Sequence, residues 1–88
     1  MQNIIAVFSS RNYAMQFATI LRKLGINNKI KDTPRELSSS CGISVIFESQ
    51  YLGRAKNIIG SYKLMSHVKL YIISGDLFKK YLPIKLGY

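Results

Sequence analysis

One cysteine in 88 residues leaves no partner for a disulfide within the chain, and a single thiol cannot by itself build a tetrahedral metal site. Acidic residues are scarce too: four, against 13 lysines and arginines, for a formal net charge of +9. Such an excess favours encounter with polyanions, acidic proteins or anionic surfaces and says nothing about fold. No apolar run approaches the ~20 residues that a membrane helix needs. The start, Met1-Gln2-Asn3-Ile4, lacks the basic n-region of a signal peptide. There is no low-complexity segment. These absences lead us to expect a soluble protein of a reducing cytoplasm, with no membrane association.

Catalytic apparatus is equally sparse. Asp32, Glu36, Glu48 and Asp76 show no paired spacing for acid/base work, and His67, the only histidine, reads as plain surface. Gly42, Gly53 and Gly60 do not form a phosphate-binding loop. We therefore expect a carrier or accessory protein rather than a stand-alone enzyme, with no cofactor.

What is present reads as one small α+β domain. The apolar share is 48% and the charged share 19%, a globular composition. Ile4 to Phe8 form a continuous apolar run whose length suits a central strand, with Ser9 or Ser10 placed to cap a helix after it. Ala14, Phe17, Ala18, Leu21 and Leu24 then recur at helical spacing, and Gly25 ends the run behind Arg22 and Lys23. Ile26 to Lys31 alternate as a short edge strand, and Ile43 to Glu48 as a third strand. Ser49 precedes a helical stripe of Leu52, Ala55, Ile58, Ile59 and Tyr62, and Val68 to Ile73 alternate again.

The order β-α-β-β-α-β is that of a ferredoxin-like sandwich, a four-stranded antiparallel sheet with two helices on one face. We place this domain at 1–74. Residues 75–88 are expected to be an extension packed on the domain or on a dimer partner, with a short helix from Leu77 to Leu82 ended by Pro83. The first strand is apolar on both sides, and Ile46 and Ile73 share the side without helices. The aromatic tail or a second copy of the chain should shield that face. A homodimer is the expectation.

The most unusual stretch is Thr33-Pro34-Arg35-Glu36-Leu37-Ser38-Ser39-Ser40-Cys41-Gly42. Threonine, proline and a glutamate three residues after the threonine make a helix start, and Gly42 can take the left-handed conformation that ends the turn. Cys41 then emerges between the second and third strands. In this topology we expect that turn at the end of the sheet where both helices finish, a site whose partial negative charge basic groups must outweigh. Arg35, Lys31, Arg22, Lys23 and Lys63 are the candidates, since nearby cations lower a thiol's pKa. Ser38, Ser39, Ser40 and the backbone at Gly42 add donors for an anion. The other reading is a small apolar residue buried beside a turn.

This run, with Phe8, Ser9 and Ser10 before a helix, resembles a small bacterial family of selenium/sulfur carrier-like proteins over about Asn3 to Ile73. The resemblance implies that Cys41 holds sulfur or selenium as a persulfide or selenosulfide and passes it from a donor protein to an acceptor. Absence of a resolving cysteine suits that task, because none could discharge the cargo as a disulfide. Two other classes compete. One is an RNA-binding module, for which the charge argues; the aromatic signature of such sheets is missing from Ile43 to Glu48. The other is a non-catalytic interaction or regulatory subunit docking through the serine–cysteine loop.

Overall fold

Ile4, Ile5, Ala6, Val7 and Phe8 are all buried, so both faces of strand β1 (Asn3–Phe8) are covered. Only a central strand can satisfy that pattern, and β1 lies in the middle of a five-stranded antiparallel sheet of order β2-β3-β1-β4-β5. The computed structural model describes residues 2–37, 42–75 and 79–86. Around β1, the elements are α1 (Arg11–Lys23), β2 (Asn28–Asp32), β3 (Ile43–Glu48), α2 (Leu52–Ser61), β4 (Val68–Ser74) and β5 (Lys80–Ile84). Short 3-10 turns at Arg35–Leu37, Ser49–Tyr51 and Met65–His67 join them. Among the described residues no helix is long and apolar enough to cross a membrane.

The expected succession of four strands and two helices is present from Asn3 to Ser74, and the sheet then departs from it by a fifth strand. Lys80 to Leu82, expected in a short helix, are extended and pair with β4 through Tyr81↔Ile73 and Leu82↔Ile72. The helical expectation took Pro83 as a stop. Pro83 instead sits inside β5, opposite Tyr71, at the outer edge of the sheet, where a missing N–H disturbs no further ladder. Tyr81, Leu82 and Ile84 also suit a pleated, half-buried surface better than a helix one turn long.

Register divides the sheet into two faces. Ile4, Ala6 and Phe8 of β1 lie beside Phe47 and Val45 of β3 and Ile72, Leu70 and Val68 of β4. Both helices pack on this side, with Ala14, Phe17, Ala18 and Leu21 from α1 and Ala55, Ile58 and Ile59 from α2 in one core. Phe17 anchors it, its ring 5.3 Å from Phe8 and 5.9 Å from Phe47. Two positions of the expected helical stripes are exposed. Leu24, the last residue of the α1 pattern, is half exposed at the helix end, and Tyr62 is so after α2.

The helix ends explain both. Gly25 takes φ +75°, its N–H bonds Arg22 O at 3.0 Å, and the Ile26 N–H bonds Leu21 O at 2.9 Å. This paired closure turns the chain sharply and buries Ile26 in place of Leu24. α2 closes identically, with Lys63 N–H to Gly60 O at 3.2 Å and Leu64 N–H to Ile59 O at 2.8 Å. There Lys63, at φ 56°, occupies the left-handed position that glycine usually fills. At the helix starts, neither Ser10 nor Ser49 caps with its side chain. Ser10 supplies only its carbonyl, to Ala14 N–H, and Ser49 opens a 3-10 turn.

Candidate functional site

The other face of the sheet carries Ile5 and Val7 of β1, Ile46 of β3, Tyr71 and Ile73 of β4 and Tyr81 of β5. No helix covers it. Leu37 does, packed with Ile5 and Val7 and only 8% exposed. Leu37 comes from the 3-10 turn Arg35–Leu37, closed by Leu37 N–H to Pro34 O at 2.9 Å. The segment that leads to Cys41 therefore folds back over the helix-free face. Ile46 and Ile73 share that face as expected, and Tyr81 of β5, paired with Ile73, extends it.

The neck of this loop is closed. Thr33 N–H donates to Gly42 O at 2.8 Å, and the hydroxyls of Thr33 and Ser44 meet at 2.6 Å. Ser44 is fully buried, and that hydroxyl pair satisfies it inside the protein. Gly42 is left-handed at φ +69°, the conformation anticipated for it. Cβ there would meet nothing within 4 Å, so the glycine answers a backbone need and not a crowding one. Arg35 is exposed in the 3-10 turn. Ser38, Ser39, Ser40 and Cys41 lie outside the described residues.

Strand register places the loop differently from the expectation. β2 runs parallel to β1, because both pair antiparallel with β3. Its turn to β3 thus lies at the end where β1 finishes and α1 begins, while α2 ends there. The expectation that both helices finish at that end is corrected: only α2 does. Arg22 and Lys23, in the last turn of α1, stand at the opposite end and drop out of the cationic group. Lys31, Arg35 and Lys63 remain, and register adds Lys69. Lys31 and Lys69 lie in one cross-strand row, Lys31↔Ser44↔Val7↔Lys69, on the face that Leu37 covers. Asp32 and Glu36 offset part of this charge. Glu36 is felt across the sheet: burial first, and the Glu36 carboxylate second, push the Tyr81 hydroxyl above its ordinary pKa of 10.0.

His67 is not plain surface. Its ring stacks on Tyr13 at 4.2 Å, its Nδ1 lies 3.4 Å from the Ser9 hydroxyl, and its carbonyl accepts from Ser9 N–H at 2.8 Å. Sequence reasoning missed this group because it joins residues 58 positions apart. The signal available was Ser9-Ser10 at the end of β1, directly beside the start of β4. Among the described residues no three His, Cys, Asp or Glu side chains gather to hold a metal ion.

With this arrangement in view, comparison with known families is decisive. Residues 3–67 match the family described as "Putative Se/S carrier protein-like". The chain belongs to this family. No curated protein and no solved structure matches it. The matched stretch of the Se/S carrier-like chain runs from β1 to the turn before β4, so it includes the closed neck, Leu37 and Cys41. β4 and β5 lie beyond it.

Proposed function

We propose that this protein carries sulfur or selenium on Cys41 between a donor and an acceptor protein. The observation that carries the reading is membership of the Se/S carrier-like family over a stretch containing the chain's one cysteine. The setting supports it. Cys41 belongs to a connection whose neck is closed by Thr33, Gly42 and Ser44 and whose Leu37 packs on the sheet. Lys31 and Arg35 belong to the connection's flanks, with Lys63 and Lys69 farther off at the same end of the sheet, and cations favour a thiolate over a thiol. Arg35, Ser38, Ser39, Ser40 and the backbone at Gly42 are the proposed anion-stabilising groups.

In the proposed cycle, the Cys41 thiolate attacks the terminal sulfur of a donor persulfide. A new S–S bond forms at Cys41 as the donor's S–S bond breaks, and the donor leaves as a thiolate. The cargo sulfur keeps its oxidation level, so no external oxidant or reductant enters. An acceptor nucleophile then takes the outer sulfur and restores the Cys41 thiolate. A selenium atom would pass by the same two displacements. Partners with acidic docking surfaces suit the net charge of +9. A homodimer, through the part of the helix-free face that Leu37 leaves open or through the tail, is also part of the proposal.

Intact mass after incubation with a cysteine desulfurase and cysteine tests the reading. The expected result is an addition of ~32 Da, removed by a thiol reductant and absent from Cys41→Ser. An unmodified mass, or an adduct that survives the substitution, would rule Cys41 out as the carrier. Alkylation against pH should also give a thiol pKa below the ordinary ~8.5.

A further inference from the structure

One concavity is lined by residues of β1, β4 and β5 and of the 3-10 turn Met65–His67. This cleft of about 450 Å³ opens at the same end of the sheet as the neck of the Cys41 loop, on the β1–β4–β5 side. Its wall is apolar where Val7, Leu70, Ile84 and Leu86 contribute, and polar where Ser9, His67 and Lys69 do. None of its lining residues is acidic. The fixed charge is the Lys69 ammonium, exposed at the start of β4. Beside it, the stacked and hydrogen-bonded His67 and the Ser9 hydroxyl form a preorganised polar corner. A concave apolar wall with a few convergent polar groups is the usual constitution of a small-ligand site, and such sites span ~300–1,000 Å³.

The geometry points to a binding site for a small amphipathic organic anion, with its apolar body against Ile84 and Leu86 and its charged group at Lys69, His67 and Ser9. Charge complementarity selects the class. An anion gains a charge-assisted contact at the Lys69 ammonium, and a cation would meet Lys69 with no carboxylate among the lining residues to offset it. Size sets the limit at a molecule of one or two fused rings or its aliphatic equivalent. The site does not depend on Cys41. Part of its wall, Pro83 to Leu86, lies beyond the matched family stretch, so the fifth strand builds the cleft as well as closing the sheet.

The probe is 1-anilinonaphthalene-8-sulfonate, which joins a fused aromatic body to one sulfonate, followed by fluorescence and by amide chemical shifts of the folded full chain. Expected are one saturable site per chain and shifts confined to Val7–Ser9, Met65–Tyr71 and Ile84–Leu86. Lys69→Gln should weaken binding about tenfold, the loss of one charge-assisted contact. Lys29→Gln, on the same face but outside the cleft, should leave it unchanged. Uncharged N-phenyl-1-naphthylamine should bind the native chain more weakly and ignore Lys69→Gln. Absence of binding, shifts spread over the surface, or equal losses in the two lysine variants would each overturn the assignment.

Discussion

The two faces of the sheet are closed by different means. On one, two helices of 13 and 10 residues bring side chains from every turn into a core that holds Phe8, Phe17 and Phe47. On the other, three buried residues, Ile5, Val7 and Leu37, form the centre, with Ile46, Tyr71, Ile73 and Tyr81 partly buried around them. One face is closed by regular structure and the other by a single leucine at the mouth of the cysteine loop. The first is therefore a matter of stability. The second depends on the 3-10 turn Arg35–Leu37, four positions before Cys41.

Paired truncations break this comparison most sharply. Phe17→Ala should cost about 3–5 kcal/mol, the range for a buried phenylalanine, and Leu37→Ala about 2 kcal/mol, the low end for a leucine at the margin of a core. Denaturant unfolding measures both. The instructive readout is the alkylation rate of Cys41 under conditions where each variant remains folded. Leu37→Ala should change that rate more than Phe17→Ala does, because it frees the loop from the sheet without opening the helical core. Equal effects from the two would mean that the loop's order does not rest on Leu37.

Much of the helix-covered face was legible in the sequence, and little of the other was. The run from Ile4 to Phe8 carries a central strand on its face, and the spacing of Ala14, Phe17, Ala18 and Leu21 states which side of α1 is buried. Local periodicity reports such contacts because each residue's neighbours repeat with the element's own period. The contact between Leu37 and β1 has no period. It joins a 3-10 turn to a strand some thirty residues earlier and depends on how a connection folds over a face. Ser9, Tyr13 and His67 meet for the same kind of reason. The end of the sheet that the loop occupies was misjudged because it depends on strand direction, which pairing fixes and composition does not. β5 was misjudged because Pro83 stops a helix and tolerates an edge strand equally well. The family was legible, since ten consecutive residues from Thr33 to Gly42 carry chemistry in sequence and need no fold to be read.

A smaller effect sharpens the contrast at the loop's neck. Ser44 is the buried polar residue of the helix-free face, and its hydroxyl is held by Thr33. Ser44→Ala removes one side of that pair. The cost should be about 1–2 kcal/mol, below that of Leu37→Ala. Amide exchange at Thr33 and Gly42 should accelerate with it, since their backbone bond at 2.8 Å spans the same neck. Faster exchange over the whole sheet, with none added at the neck, would assign Ser44 to the sheet rather than to the loop.

Tyr81 gives the gentlest probe, because it reads the helix-free face from the β5 side. Its pKa in the folded chain is raised, by burial and then by Glu36, so folding holds the phenol in its neutral form. Below the unfolded value of ~10, tyrosine is neutral in both states and pH has no leverage through it. As pH rises past ~10, the unfolded chain releases the proton while the folded chain retains it. The unfolded state then binds fewer protons, so stability falls with rising pH until the folded phenol ionises as well. Other tyrosines and the lysines titrate nearby, so the informative quantity is a difference. Tyr81→Phe should flatten the alkaline decline of the unfolding midpoint relative to the native chain, and Glu36→Gln should do so to a lesser degree. An unchanged slope in Tyr81→Phe would place its hydroxyl in open water.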